Sequence, residues 1–130
     1  MRMKSVEEMV REFHEANDVP SPERPCLPTP DRRLLRKRLI SEEYEEFHDA
    51  WVESDLAEIA DALADLVYVC VGCAIEYGIP FDEVFAEVHR SNMTKLGADG
   101  KPVRREDGKI IKGPNFEPPR IREILARRQA

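Results

Sequence analysis

Apolar residues return at helical spacing at Val6, Met9, Val10 and Phe13, behind a Ser5 and Glu8 pair in the capping-box arrangement, so the pattern predicts a first helix ending near Asn17. Pro20, Pro22, Pro25, Pro28 and Pro30 then crowd residues 18–31, which excludes helix or central strand there and predicts an extended connector. Asp31 is a candidate N-cap for a second helix running to about Glu53, with Leu35, Leu39, Ile40, Phe47 and Ala50 as its apolar stripe. Ser54 is a candidate cap for a third helix that closes at Gly78. That third helix is apolar nearly all round from Leu63 to Ile75, as a helix buried in a bundle would be. A fourth begins after Ile79 and Pro80 and carries Phe81, Val84, Phe85 and Val88 on one face to about Lys95. Beyond Gly97 the basic segments 101–105 and 109–112 flank Glu106-Asp107-Gly108, which predicts a small β-hairpin, and a short helix over 120–128 follows with Ile121, Ile124 and Leu125.

The expected fold is therefore all-α, a four-helix bundle with a small C-terminal β-hairpin and short helix. With 130 residues, one domain over 1–130 is expected, its core at about 31–96 and a basic tail at 97–130. At 42% hydrophobic and 35% charged residues the composition is that of a globular chain rather than a disordered one. The uncharged run Leu66 to Ile75 is half of the ~20 residues a membrane span requires, and no apolar leader follows Met1, so a cytoplasmic protein without a membrane partner is expected. Three cysteines, Cys26, Cys70 and Cys73, argue against a disulfide framework, and Cys70-x-x-Cys73 sits mid-helix, where ordinary buried thiols are the simpler expectation.

Charge changes the picture. Residues 1–94 carry 10 basic and 21 acidic side chains, net −11, while residues 95–130 carry 10 basic and 5 acidic, net +5. An acidic body speaks against nucleic acid as partner and suits cations joined to a phosphate. At about 100° per residue, with Leu39 at 0°, Glu43 falls near 40° and Glu46 near 340°, inside the apolar stripe of the second helix, and Glu42 lies at its edge near 300°. Glu45, His48 and Asp49 lie outside. On the third helix Glu58, Asp61 and Asp65, at i, i+3 and i+7, share one side of its amino-terminal half. Carboxylates turned inward cost several kcal/mol each unless neutralised, at roughly that scale per ion. Bound metal is the economical compensation, and an all-oxygen set favours Mg²⁺ or Mn²⁺ over zinc. On the fourth helix Asn92 continues the Phe85 and Val88 face, with Lys95 a turn further, so an amide and an ammonium are candidates for phosphate contact. Glu45-x-x-His48 has no second copy of its kind and His48-Asp49 lacks the further residues an HD phosphohydrolase requires. Trp51, Phe47, Tyr68 and Phe116 are expected in the core, with stacking on a base as the competing role.

Three stretches, Glu42-Glu43-Tyr44-Glu45-Glu46, Glu58-Ile-Ala-Asp61-Ala-Leu-Ala-Asp65-Leu-Val-Tyr68 and Val88-His-Arg-Ser-Asn92-Met-Thr-Lys95, together resemble the all-α nucleotide pyrophosphohydrolases, the superfamily of MazG, dimeric dUTPases and phosphoribosyl-ATP pyrophosphohydrolase. The family pattern EExxE maps onto Glu42, Glu43 and Glu46. The following ExxD departs: if Asp65 is the family aspartate, its glutamate partner is Ala62, whereas the literal ExxD is Glu58-x-x-Asp61. Either Glu58 or Asp61 would then supply the missing oxygen. The resemblance implies a MazG-like bundle completed as a homodimer or homotetramer and Mg²⁺ (or Mn²⁺) held by Glu43, Glu46, Asp61 and Asp65 with Glu58 as a fifth ligand. Glu42 would be the base that orients water, and Asn92 and Lys95 would bind substrate. The implied reaction is hydrolysis between the α and β phosphates of a nucleoside triphosphate, with phosphoribosyl-ATP as an alternative substrate and a catalytically silent helical oligomerisation module as the competing function.

Overall fold

The computed structural model describes residues 2–129, and they form two compact units, residues up to Phe81 and residues from Asp82 on. The chain is all-α with a small hairpin, as its pattern predicts. No helix is long and apolar enough to cross a membrane among the described residues.

In the first unit, α1 (Val6–Ala16) starts where Ser5 accepts a hydrogen bond from the Glu8 backbone N–H, and it closes on Asn17. The proline-rich connector then leads to α2 (Pro30–Glu53), which runs into α3 (Leu56–Glu76) through a two-residue joint. Both caps expected at these helix starts move. Thr29, not Asp31, precedes α2, because proline at the first helical position loses no hydrogen bond there, and Asp31 falls into the first turn. Ser54 takes a left-handed backbone (φ 58°) and ends α2, leaving Asp55 to cap α3 by accepting from the Ala57 and Glu58 N–H groups. Gly78 (φ 68°) follows the α3 C-cap in the left-handed conformation its sequence position predicts.

The buried apolar nucleus of this unit is Val10 of α1 with Val71 and Ile75 of α3, and Phe81 packs on it. Around it sits a polar network that the hydrophobic pattern does not reveal. The Glu76 carboxylate, 1% exposed, accepts from Arg32 (Nε 2.6 Å, Nη2 2.8 Å) and from Arg36 Nε (2.8 Å). Arg36 Nη2 also lies 3.4 Å from Nε2 of buried His14, and His14 Nδ1 lies 3.1 Å from the Pro20 carbonyl. Arginine only donates, so Nε2 is the acceptor and the imidazole proton sits on Nδ1, where it donates to Pro20. Burial lowers the His14 pKa and the positive charge of Arg36 adds to that, so the neutral ring is favoured. For Glu76, burial pushes the carboxyl upward, but the Arg32 and Arg36 hydrogen bonds outweigh it and hold the group below its ordinary range.

The expected exposure of several side chains is corrected. Trp51 is 63% exposed and leans on the His48 ring instead of entering a core, and Tyr68 meets Phe13 edge-on (5.6 Å between centroids) at the surface. Phe47 and Phe116 are half-buried. Cys26 and Cys70 are exposed and Cys73 half-buried, all three with free thiols, so Cys70 is not the buried thiol its apolar neighbours suggest. Trp51, Tyr68 and Cys70 belong to a short three-helix unit that has little interior to offer.

The second unit carries α4 (Phe81–Asn92), which ends before the expected Lys95; Thr94 and Lys95 N–H groups turn back to the carbonyls of Ser91 and Asn92. A hairpin of β1 (Val103–Arg104) and β2 (Ile110–Ile111) follows, with Val103 opposite Ile111 and Gly108 (φ 89°) in its turn. The final helix α5 (Ile121–Gln129) buries Ile124. It is tied to α4 by Arg127 and Arg128 on Glu83 and by the Arg120 N–H on Glu87, whose carboxyl is held down to about 2 chiefly by the hydrogen bonds from Arg90.

Gly72 is where α3 lets the polar network close. A Cβ there would stand 3.0 Å from Arg36 Nη1 and 3.1 Å from His14 Nε2. Gly72→Ala is expected to cost about 1–3 kcal/mol through overpacking despite alanine's better helix propensity, read from a lower urea midpoint at unchanged slope.

Candidate active site

The α2 and α3 helices run antiparallel. Residues late in α2 therefore face residues early in α3, and the acids that each helix carries on one side meet across the seam. Glu43, Glu46 and Asp65 each place a carboxylate oxygen within 4.8 Å of the other two. Ligand oxygens around a small divalent ion at about 2.1 Å lie roughly 3–4 Å apart, so small side-chain rotations bring this trio to coordinating distance. Glu43 and Asp65 are half-buried and Glu46 is exposed.

Glu43 shows the strain of the arrangement. Its Oε2 is buried without a hydrogen-bond partner. Burial, then a hydrogen bond with Glu46, then the charges of Glu46, Asp65 and Glu42 push its carboxyl above the ordinary range. A buried carboxyl oxygen without a partner, beside two further carboxylates, fits a hard cation, and the purely oxygen donor set fits Mg²⁺ or Mn²⁺. Glu42 is exposed, close enough for its charge to act on Glu43.

Glu58 and Asp61 are not gathered into that trio among the described residues. They line an adjoining groove of about 490 Å³ with Glu46, Asp49, Ala50, Glu53, Asp55 and Ala62, and both are exposed rather than turned inward. Asp65, not Asp61, is thus the α3 acid beside Glu43. Ala62, one turn before Asp65, is buried in the groove wall with no oxygen to offer. Asp49, outside the apolar stripe, is exposed as that position predicts, and it also lines the acidic groove. It lies near 280° on the α2 wheel, about 20° from Glu42, and Glu46, Asp49 and Glu53 recur at i, i+3 and i+7, the signal an apolar-stripe criterion passes over. Glu45 is exposed and outside both the trio and the groove lining.

A second pocket of about 430 Å³ opens among α1, α2 and α3, lined by Phe13, Leu35, Leu39, Tyr68 and Val69 along its apolar length. Glu43 and Asp65 also line it, as do His14, Arg32 and Arg36 of the polar network. In the second unit, Asn92 and Lys95 sit at and just beyond the end of α4. Asn92 is exposed and Lys95 half-buried. The face they were expected to extend is corrected too: Phe85 is 61% exposed and the buried residue of α4 is Ser91, whose hydroxyl donates to the Glu117 carbonyl.

The profile of the phosphoribosyl-ATP pyrophosphohydrolase family matches residues 7–92, a span that holds α1 but for its first residue, α2 to α4, and the carboxylates of the trio and the groove. The chain belongs to this family. Membership makes it a hydrolase acting on a phosphoanhydride bond, within the all-α pyrophosphohydrolases. The family span stops at Asn92, so the hairpin and α5 lie beyond it. A solved structure of a candidate NTP pyrophosphohydrolase from Exiguobacterium sp. 255-15 is 23% identical, with 97% of this chain and 96% of that chain covered and a TM-score of 0.49. No curated protein matches the chain.

The raised Glu43 sets a pH dependence with a defined sign. Below the unfolded value of 4.5 the group is protonated in both states and costs nothing. As pH rises past 4.5 the unfolded chain ionises first, so the metal-free folded state loses stability until the folded value is passed. Glu43→Gln is therefore expected to raise Tm at pH 7 in the presence of a chelator, with the gain vanishing by about pH 4. Thermal melts across that range check it, and a gain of equal size at both ends would contradict it.

Proposed function

We propose that the protein is a metal-dependent nucleoside triphosphate pyrophosphohydrolase whose metal centre is built on Glu43, Glu46 and Asp65. The observation that carries this reading is the buried, unpartnered Oε2 of Glu43 beside two more carboxylates in a chain of this family. Mg²⁺, with Mn²⁺ as substitute, is the proposed ion, and Glu58 and Asp61 extend the oxygen set along the groove. When bound, the ion neutralises polyphosphate charge and lowers the pKa of water. Glu42 accepts the proton of the attacking water, as its exposed position beside Glu43 allows. The water oxygen bonds to the α-phosphorus, the bond from that phosphorus to the bridging oxygen breaks, and pyrophosphate leaves a nucleoside monophosphate. Asn92 and Lys95 are proposed as phosphate contacts, Lys95 as a point charge. Phosphoribosyl-ATP is the second reading, favoured by the family profile itself, and it requires the same bond cleavage.

A homodimer or homotetramer is part of this proposal. Val6, Met9, Leu63, Val67 and Tyr68 leave an apolar groove of about 390 Å³ open along α1 and α3, and the chain buries few large apolar side chains of its own. A second copy is its proposed occupant. Sedimentation at micromolar concentration is expected to show a dimer or tetramer, and a stable folded monomer would refute this.

The activity test is pyrophosphate release from a panel of nucleoside and deoxynucleoside triphosphates and phosphoribosyl-ATP, with and without metal. Turnover is expected only with Mg²⁺ or Mn²⁺, and the same ions are expected to raise Tm because they bind the folded state alone. Glu46→Gln and Asp65→Asn should lower turnover by about 100-fold or more while the fold survives. Glu45→Gln should leave the rate near that of the parent, and Lys95→Ala should act mainly on KM. No release from any substrate would leave the silent oligomerisation module standing instead.

A further inference from the structure

The carboxylate trio depends on how α2 is slid along α3, and the apolar contacts between these helices set that slide poorly. Apolar side chains cover most of the α3 circumference from Leu63 to Ile75, so a displacement of one turn, about 5.4 Å, would still meet apolar surface. The same displacement exceeds the 4.8 Å within which Glu43, Glu46 and Asp65 gather. The two-residue joint limits this slide at one end of the helix pair, and at the far end a polar contact is placed to hold it.

We propose that Glu76, through its ion pairs with Arg32 and Arg36, is a positioning residue that fixes the α2 and α3 register and so assembles the Glu43, Glu46 and Asp65 centre. Arg36 lies seven residues before Glu43, about 10.5 Å along α2, so the network acts at a distance from the centre and touches none of its oxygens. Its geometry tolerates no slip. Glu76 takes three guanidinium hydrogen bonds at 2.6–2.8 Å in a site that leaves its side chain 1% exposed, and a one-turn shift would strand a buried charge. The network also reaches across to α1, because Arg36 donates to His14 and His14 holds the Pro20 carbonyl of the connector. Gly72 leaves the room that this convergence needs. Buried ion pairs of this kind contribute little net stability against well-packed apolar replacements, and their best-attested use is the choice of register. Members of the network and of the trio border one pocket, with His14, Arg32 and Arg36 in its wall together with Glu43 and Asp65.

The test separates register from stability, and it rests on the metal reading above for one of its two readouts only. The parent chain is compared with Glu76→Gln, with Arg36→Lys, and with an apolar triple variant, Arg32→Met, Arg36→Met and Glu76→Leu. The first readout needs no metal: nuclear Overhauser contacts between the methyl groups of Leu39 on α2 and Val69 on α3, which line the same pocket. The second is Mn²⁺ affinity by calorimetry, far below each Tm. The triple variant is expected to melt at or above the parent, yet to lose the Leu39 to Val69 contacts and to bind Mn²⁺ at least about 10-fold more weakly; the single variants are expected to lose contacts and affinity in the same direction but to melt below the parent, because each breaks only one side of a buried ion pair. Retained contacts in the folded variants, or Mn²⁺ affinity within twofold of the parent, would overturn the proposal. If the triple variant does not fold, the two single variants decide by the same criteria. If the parent itself binds no Mn²⁺, the metal reading fails and the methyl contacts alone decide the role of Glu76.

Discussion

Carboxylates on facing helices repel, and a fold that gathers them must hold its helices together against that repulsion. At an effective dielectric near 20, two unit charges 4 Å apart oppose each other by about 4 kcal/mol, comparable to a large share of a small domain's stability. The first unit meets this with opposite arrangements at two levels of one helix pair. Where α2 begins and α3 ends, three guanidinium hydrogen bonds bind a carboxylate below its ordinary pKa range. Where α2 ends and α3 begins, carboxylates face carboxylates, and Glu43 is pushed above its range. Among the described residues, the protein supplies the cations at the first level and not at the second.

That contrast gives the centre its chemical meaning. A carboxylate cluster answered by arginine is a structural ion pair, whereas one that receives no protein cation retains its charge for a ligand. The acidic groove continues this open charge along the seam through Asp49, Glu53, Glu58 and Asp61. Ala62, at the place where the family pattern carries an acid, offers no side-chain oxygen, and the acids nearest to it in the groove wall, Glu58 and Asp61, are exposed.

Much of this was legible in the sequence because helical periodicity is a local property. The stripe in α1, the proline-rich connector, the hairpin around Gly108 and the inward placement of Glu43 all follow from spacing alone. What spacing missed is tertiary. Ser54 and Asp55 are both good caps, and only the left-handed bend at Ser54 gives the role to Asp55. Asp49 is exposed, as its position outside the stripe predicts, but that it lines a groove with Glu58 and Asp61 depends on the other helix. Trp51 looked like core because its surroundings were unknown, and it is exposed. Glu76 was overlooked although it ends the long apolar run of α3 as a lone charge, and its partners lie forty residues or more away in sequence. A lone charge next to such a run is the signal that could have been followed back to Arg32, Arg36 and His14.

The charge order along α2 bears on how the protein folds. Its first half holds Arg32, Arg33, Arg36, Lys37 and Arg38, and its second half holds Glu42, Glu43, Glu45, Glu46, Asp49 and Glu53, with no basic residue in the last turn. Acids spaced three and four apart in a helix oppose it by about 0.2–0.5 kcal/mol per pair, and an acid at a helix C-terminus also opposes the macrodipole. As an isolated peptide this half of α2 would therefore be a poor helix. Its helix depends on packing against α3, and a cation that relieved the repulsion would stabilise the helix as it bound. On the proposed metal reading, capture of an ion and completion of local folding in these last three turns would be one equilibrium, since a partly folded chain would have no acidic centre to fill.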